Sequence, residues 1–404
     1  MEQGKNLYVI GAGAVSAAGV SVAENISVML SGKTSVAPVQ RFSTKVDSPA
    51  GEVHLSDSEL KAELFIEDGK IVSRTALLGL KAVMEAAADA ASRGADMLGS
   101  RVAFISGTSV GGMDLSEVFW KSSRSDISAG DIRMLQMHDP GAVTSVIASL
   151  LESRGVVAHP VHVSTVSTAC SAAGNAIMLG ARMIKHGMAD LVIAGGVDSL
   201  CRFTLNGFNS LRILDPDVCR PFDSSRAGLN LGEGAGYIVL SSEPIAPYCR
   251  LSGWGNANEA YHQTASTPEG IGPGLAMAAA LDCAGLEPQD IGFINTHGTG
   301  TQVNDLAESN AMLRVFGGDV PPFSSLKAYI GHTLGASEGI EAALVCKALE
   351  SGDVRFMKSL NWSSPAEGAG LVPYDGSMLP HPEHIMSSAF GFSGNCVSLI
   401  FSGV

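Results

Sequence analysis

Three observations predict an α/β fold. Short, β-branched apolar runs alternate with alanine-rich stretches of helical period; the apolar runs show no polar face; and glycine, at 47 residues, is frequent enough for close backbone packing. Strands buried on both faces with intervening helices build layers. The 404 residues are 46% hydrophobic and 16% charged, enough for one large domain or two to three ordinary ones.

In chain order, strands are expected over Leu7–Ile10, Val102–Ser106, Val161–Thr165, Leu191–Ala194, Tyr237–Leu240, Ile291–Asn295 and Val397–Phe401, each a compact apolar or β-branched run. Helices are expected over Thr75–Arg93, Ala142–Glu152, Ser171–His186, Gly274–Ala284, Leu306–Phe316 and Gly339–Ser351. Gly11-Ala12-Gly13-Ala14-Val15-Ser16 follows the first strand but is not read as a dinucleotide fingerprint. Ser16 stands where Gly or Ala is needed, no acidic residue follows at ~20 residues, and the two glycines read as a tight turn. Lys45–Glu67 and Lys121–Asp139 are polar and irregular, and are expected as surface insertions. The run Ser241–Pro247 is the best internal boundary, dividing the chain into 1–246 and 247–404.

A net charge of −14 argues against binding a phosphate backbone, and no apolar run reaches the ~18–20 residues of a membrane helix. The N-terminus reads as a first strand rather than a signal peptide. Seven scattered cysteines without a C-x-x-C pair indicate neither a disulfide framework nor a zinc site, and a reducing cytoplasm is the expected compartment. No metal is expected; His381 and His384, in a proline-rich loop, are the nearest candidate pair.

Four motifs carry chemistry. Cys170, in Ser167-Thr168-Ala169-Cys170-Ser171, falls where a strand meets a helix N-terminus, which is expected to lower its pKa and make it a nucleophile. Its backbone N–H is also placed to supply half of an oxyanion hole. His297, in Asn295-Thr296-His297-Gly298-Thr299-Gly300-Thr301, is delivered by a strand into a loop with little bulk around it. His332 follows Gly331 at the mouth of a helix, a position that favours the neutral ring. Lys327 reads either as part of this site, anchored by Glu341, or as a solvated surface charge. Phe390 and Phe392, in a glycine-rich loop before the last strand, line a pocket or pack the core.

Taken together and in this order, the motifs resemble the 3-oxoacyl-[acyl-carrier-protein] synthases of the thiolase superfamily, closest to the elongating type II class. The likeness runs from VIGAGAVSAAG to GFSGNCVSLIF and includes Arg220-Pro221-Phe222-Asp223 and Leu231-Gly232-Glu233-Gly234-Ala235-Gly236. It implies a thiolase-like, five-layered αβαβα fold of two similar halves, and a dimer of identical or related subunits. It further implies Cys170 as acyl acceptor, His297 and His332 promoting decarboxylation of malonyl-carrier protein, and an oxyanion hole from the N–H groups of Cys170 and Phe392. Phe392 would be the gate, Lys327, Glu341 and Asp305 would support the site, and Val110, His138, Phe390, Thr299 and Thr301 would line the substrate pocket. Lys70 and Arg74 would meet the acyl carrier protein, whose phosphopantetheine carries the substrates, so no resident cofactor is implied.

The sequence departs from the family in places. Ser393 stands where the gate loop usually has glycine, and Asp215 and Asp217 stand where a basic residue usually faces the carrier protein. A specialised synthase for a polyene or other secondary lipid, a non-elongating chain length factor, a coenzyme A thiolase using Cys396, and a binding protein without chemistry are the competing readings. The triad of Cys170, His297 and His332 argues against the chain length factor, and the paired-histidine pattern against the thiolase.

Overall fold

The structure, a computed structural model, describes residues 6–124, 126–366 and 370–404. Met1–Lys5, which belong to the N-terminal reading above, and Ser125 of the second insertion lie outside the described residues.

The strands are β1 (Tyr8–Val15), β2 (Val102–Gly107), β3 (His162–Val166), β4 (Leu191–Asp198), β5 (Gly234–Ser241), β6 (Cys249–Asn258), β7 (Phe293–Asn295), β8 (Phe323–Ser324), β9 (His384–Phe390) and β10 (Asn395–Ser402). They form one mixed sheet in the order β3-β2-β4-β5-β1-β6-β10-β9-β7-β8. The first five strands and the last five join where Tyr8 and Val9 pair with Arg250 and Cys249. From each outer edge inward, both sets run third, second, fourth, fifth, first. In each set the outer three strands are mutually parallel and the inner two antiparallel to their neighbours. The two halves are therefore topological copies.

Alternation along the strands produces five layers. Tyr237 and Val239 of β5 point to a core shared with the helix Arg74–Ser92, while Ile238 and Leu240 point to a central core. On the other half, Ile385 and Leu399 enter that same central core, while Met386 and Ile400 face a third core with the helix Ile271–Ala284. The helices Ala172–Lys185 and Ser337–Ser351 lie between the two half-sheets and touch both. Ser337–Ser351 is buried along most of its length, as a central-layer helix must be.

β1 runs to Val15, so Gly11 and Gly13 are not a tight turn. A Cβ on Gly13 would lie 2.2 Å from the Ala82 carbonyl oxygen, and one on Gly11 2.4 Å from that of Ala86; the two glycines let the helix Arg74–Ser92 press directly onto the strand. Lys45–Glu67 is less irregular than expected. It holds a helix, Asp57–Glu63, started by a reciprocal Ser56–Glu59 capping box.

Candidate active site

Cys170 is presented by a strained corner. β3 ends at Val166, Ala169 takes a left-handed backbone conformation (φ 53°), and the helix Ala172–Lys185 begins directly after the turn Ala169–Ser171. Gly391 lets the loop after β9 close on this corner; a Cβ there would sit 2.6 Å from the Thr168 carbonyl oxygen.

His297 follows β7 and is fixed from behind by two acids of the helix Gln302–Phe316. Glu308 accepts the N–H groups of His297 and Gly298 at 2.8 and 2.7 Å. Asp305 accepts those of Thr299, Gly300 and Phe222 at 3.0, 3.2 and 2.8 Å. Four consecutive loop residues, His297–Gly300, are thus held by their backbone N–H groups, leaving the imidazole to the site. His332 sits between the short helix Lys327–Ile330 and the helix Ser337–Ser351, with its N–H donated to the Asn230 carbonyl at 2.7 Å.

These elements bring the three side chains together. His332 Nε2 lies 3.0 Å from Cys170 Sγ, and His332 Nδ1 lies 3.0 Å from Ser337 Oγ. The His297 ring stands edge-on to His332 at 5.2 Å between centroids, and donor atoms of Cys170, His297 and His332 all fall within 4.8 Å of one another. Among the described residues this is the one convergence of three such donors, and His381 and His384 take no part in it. Lys327 Nζ donates to Glu341 Oε1 at 2.9 Å, and both side chains are buried, which settles Lys327 as an interior cation rather than a surface charge.

Burial governs the titration of the site. It drives His297 and His332 well below the ordinary histidine range, with the Lys327 ammonium adding to the effect, so both rings are neutral. Burial also pushes the Cys170 thiol up to about 12, against the lowering influence of Lys327 and of the backbone N–H groups of Phe392 and Cys170. This corrects the expectation of a lowered thiol pKa: at a buried helix N-terminus, desolvation of the thiolate outweighs the partial charge of the amides. The two N–H groups facing the sulfur remain available as donors to an oxygen.

A cavity of about 420 Å³ opens onto Cys170, His297 and His332. Thr299, Thr301 and Phe392 line it, and the Phe392 ring stacks on Phe208 at 5.6 Å. Val110, His138 and Phe390 do not line it. Val110 donates its N–H to Asp198 and packs against a small core, and His138 is an exposed partner of Ser116. Phe390 ends β9 beneath His297, 5.7 Å between centroids, in the third core. Cys396 is also in that core, away from the cavity.

Arg74 is not a surface cation. It is 1% exposed and forms a buried ion pair with Glu233 at 2.7 Å, joined by Asp57; Lys70 is exposed. The sequence reading missed Glu308, Phe208 and Arg212, the last an exposed cation on the cavity lining. Glu308 carries a findable signal, an acid on the first turns of the helix directly behind the His297 loop.

Residues 5–246 match the family model described as Beta-ketoacyl synthase, N-terminal domain, and residues 248–360 match Beta-ketoacyl synthase, C-terminal domain. The chain belongs to the beta-ketoacyl synthase family. This is a family of acyltransferases, and its fold is thiolase-like. The chain is 30% identical to the 3-oxoacyl-[acyl-carrier-protein] synthase 2 of Staphylococcus aureus, over 99% of each chain. Among solved structures, it is similar to the ishigamide ketosynthase/chain length factor, with a TM-score of 0.91, 27% identity, and coverage of 99% and 100% of the two chains. It is also similar to a ketosynthase in complex with its chain length factor from Xenorhabdus doucetiae, with a TM-score of 0.78, 30% identity, and coverage of 99% and 98%. In this chain a cysteine and two neutral histidines surround one cavity.

Proposed function

We propose that the protein is a 3-oxoacyl-[acyl-carrier-protein] synthase, which joins an acyl group held on Cys170 to malonyl-carrier protein by decarboxylative condensation. The observation that carries this reading is the contact of a neutral histidine with a buried thiol, His332 Nε2 to Cys170 Sγ at 3.0 Å, beside a second neutral histidine.

In the first half-reaction the Cys170 sulfur attacks the acyl thioester of the carrier protein. The thiol proton passes through His332 to the departing phosphopantetheine sulfur, and the developing oxyanion is held by the N–H groups of Cys170 and Phe392. In the second, the bond between the malonyl carboxylate and its methylene breaks. Carbon dioxide leaves, and the electron pair collects on the thioester oxygen as an enolate, with His297 and His332 as neutral donors. The enolate carbon attacks the acyl carbonyl on Cys170, and the tetrahedral intermediate expels the Cys170 thiolate, which takes a proton from water. Neutral imidazoles suit this sequence because they donate hydrogen bonds to developing anions without first giving up a proton. Lys327, paired with Glu341, supplies a fixed positive field, and Asp305 with Glu308 fixes the loop that carries His297. The nucleophile belongs to residues 1–246 and both histidines to residues 247–404.

Atoms and charge balance with these side chains, the substrates and one proton from water, so no resident cofactor or metal is called for; the phosphopantetheine arrives with the acyl carrier protein. Lys70 and Arg212 are exposed cations suited to that acidic partner, Arg212 at the cavity itself. A second chain, identical or related, is expected along β3, an outer strand with the half-exposed Val161 just before it and Val163 within it. Among the described residues no helix is long and apolar enough to cross a membrane, and the proposed site of action is the cytoplasm.

A specialised ketosynthase, paired with a chain length factor and outside primary fatty-acid synthesis, is the second reading. It is favoured by the TM-score of 0.91 to the ishigamide ketosynthase/chain length factor and by Ser393 in the gate loop. Carbon dioxide release and 3-oxoacyl product, measured from malonyl-carrier protein with wild type and with the His297→Ala and His332→Ala variants, test the condensation. Product from wild type alone supports it, and undiminished product from both variants contradicts it.

A further inference from the structure

Three oxygens near the Lys327 pair are left over. Lys327 Nζ occupies Glu341 Oε1, but Glu341 Oε2 accepts no hydrogen bond. Glu338, one turn earlier on the same helix face, is fully buried, and neither of its oxygens accepts a well-formed hydrogen bond. Its side chain lies against the helix of Cys170: a Cβ on Gly174 would stand 3.0 Å from Glu338 Cγ. The groups that face it are Glu341 on its own helix, Lys327 on the preceding turn, and the Ser387 hydroxyl on β9. Ser387 accepts from Asn295 Nδ2 at 2.9 Å, which leaves its own proton free to turn toward Glu338.

Two carboxylates and one ammonium would leave a net negative charge in the central layer. Such an uncompensated charge costs several kcal/mol, and a buried group removes it by taking up a proton. A carboxylic acid needs an acceptor, and three oxygens without donors sit within one turn of helix.

We propose that Glu338 is held as the neutral acid and shares its proton with Glu341, acting as a positioning residue for the Lys327–Glu341 pair. One proton between the two carboxyls accounts for two of the three orphaned oxygens, with the Ser387 hydroxyl facing Glu338 for the third, and burial beside Glu341 drives Glu338 well above the ordinary carboxylate range. The consequence reaches the active site. Lys327 keeps a single anionic partner, so its field continues to favour neutral histidines and the Cys170 thiolate. An ionised Glu338 would cancel that field.

Alkylation of Cys170 by iodoacetamide as a function of pH tests this without any natural substrate, so its outcome is independent of the synthase reading. Glu338→Gln replaces the acid by a neutral amide of the same shape. If Glu338 is already neutral, the midpoint of the alkylation profile is unchanged. If Glu338 is ionised, removing its charge moves the midpoint down by about 1 pH unit or more, and the proposal is overturned. The positioning role, which rests on the synthase reading, is read from malonyl-carrier protein decarboxylation. Glu338→Ala takes the donor from Glu341 and is expected to lower the rate roughly tenfold, with Glu338→Gln restoring it. Equal losses in both variants overturn that role. Should neither variant fold, the infrared carbonyl band of a protonated carboxyl at pH 7, sensitive to deuterium exchange, is compared between wild type and Glu308→Gln, because Glu308 is itself raised to about 8: a band that persists in Glu308→Gln supports the proposal, and its disappearance there overturns it.

Discussion

His332 Nε2 lies 3.0 Å from the Cys170 sulfur, and the opposite nitrogen of the same ring lies 3.0 Å from the Ser337 hydroxyl. The hydroxyl can donate to or accept from Nδ1, so it holds the ring while Nε2 takes the Cys170 proton in acyl transfer and donates to the enolate afterwards. Ser337→Ala frees the ring. We expect kcat to fall up to about tenfold, the worth of one neutral hydrogen bond, with KM for the carrier-protein substrates unchanged. Steady-state kinetics separates the two constants.

Lys327 and Glu341 form an ion pair closed to solvent. Lys327→Met leaves Glu341 without its cation and is expected to cost about 3–5 kcal/mol of stability. Lys327→Met combined with Glu341→Leu removes both charges and recovers most of that loss, without recovering acyl transfer. Urea unfolding of the two variants, alongside acyl loading, tests both statements.

Acid weakens the fold through the two histidines. In the unfolded chain they take up protons near 6.5, whereas in the folded protein burial and Lys327 keep them neutral to well below that pH. The unfolded state therefore binds more protons as pH drops below 6.5, and folding stability falls. Glu308, raised to about 8 by burial, acts with the opposite sign, so the comparison is made with a His297→Asn/His332→Asn variant. Between pH 7.5 and 5.5 wild type is expected to lose melting temperature relative to that variant.

Ser393 holds a left-handed conformation (φ 66°, ψ 11°) in the loop that carries Phe392. Ser393→Gly relieves about 1 kcal/mol of this strain and adds a comparable entropic cost through the unfolded chain. The melting temperature is expected to stay nearly constant, while a looser gate widens the range of acyl groups loaded onto Cys170. Loading rates across acyl lengths, compared with wild type, check this.

Much of this molecule was legible in its sequence where side chains carry a pattern. The seven expected strands and six expected helices all form, with shifted ends, because each is a concentrated apolar run or a long alanine-rich period. β6 was not read because glycine, serine and asparagine fill it, and its alternation is visible only in burial. In β9 two serines interrupt the apolar run, and the buried Ser388 is satisfied by Ser398 of β10 at 2.8 Å. Cys170, His297 and His332 were found because small residues and glycines frame them. Arg74 was misplaced because its partner Glu233 lies 159 residues away, and no local pattern reports a buried pair of that separation. The raised Cys170 thiol was missed for a related reason: desolvation depends on the whole fold, while a helix start is local.

The condensation turns on Cys170 as the acyl carrier. Intact-protein mass spectrometry, after mixing the protein with a panel of acyl-carrier proteins and then malonyl-carrier protein, tests it most directly. One acyl adduct per chain, absent from Cys170→Ala and discharged by malonyl-carrier protein, is the predicted result. An adduct that persists in the Cys170→Ala variant, or wild-type protein that takes no acyl group from any donor while its Cys170 still reacts with iodoacetamide, would contradict it.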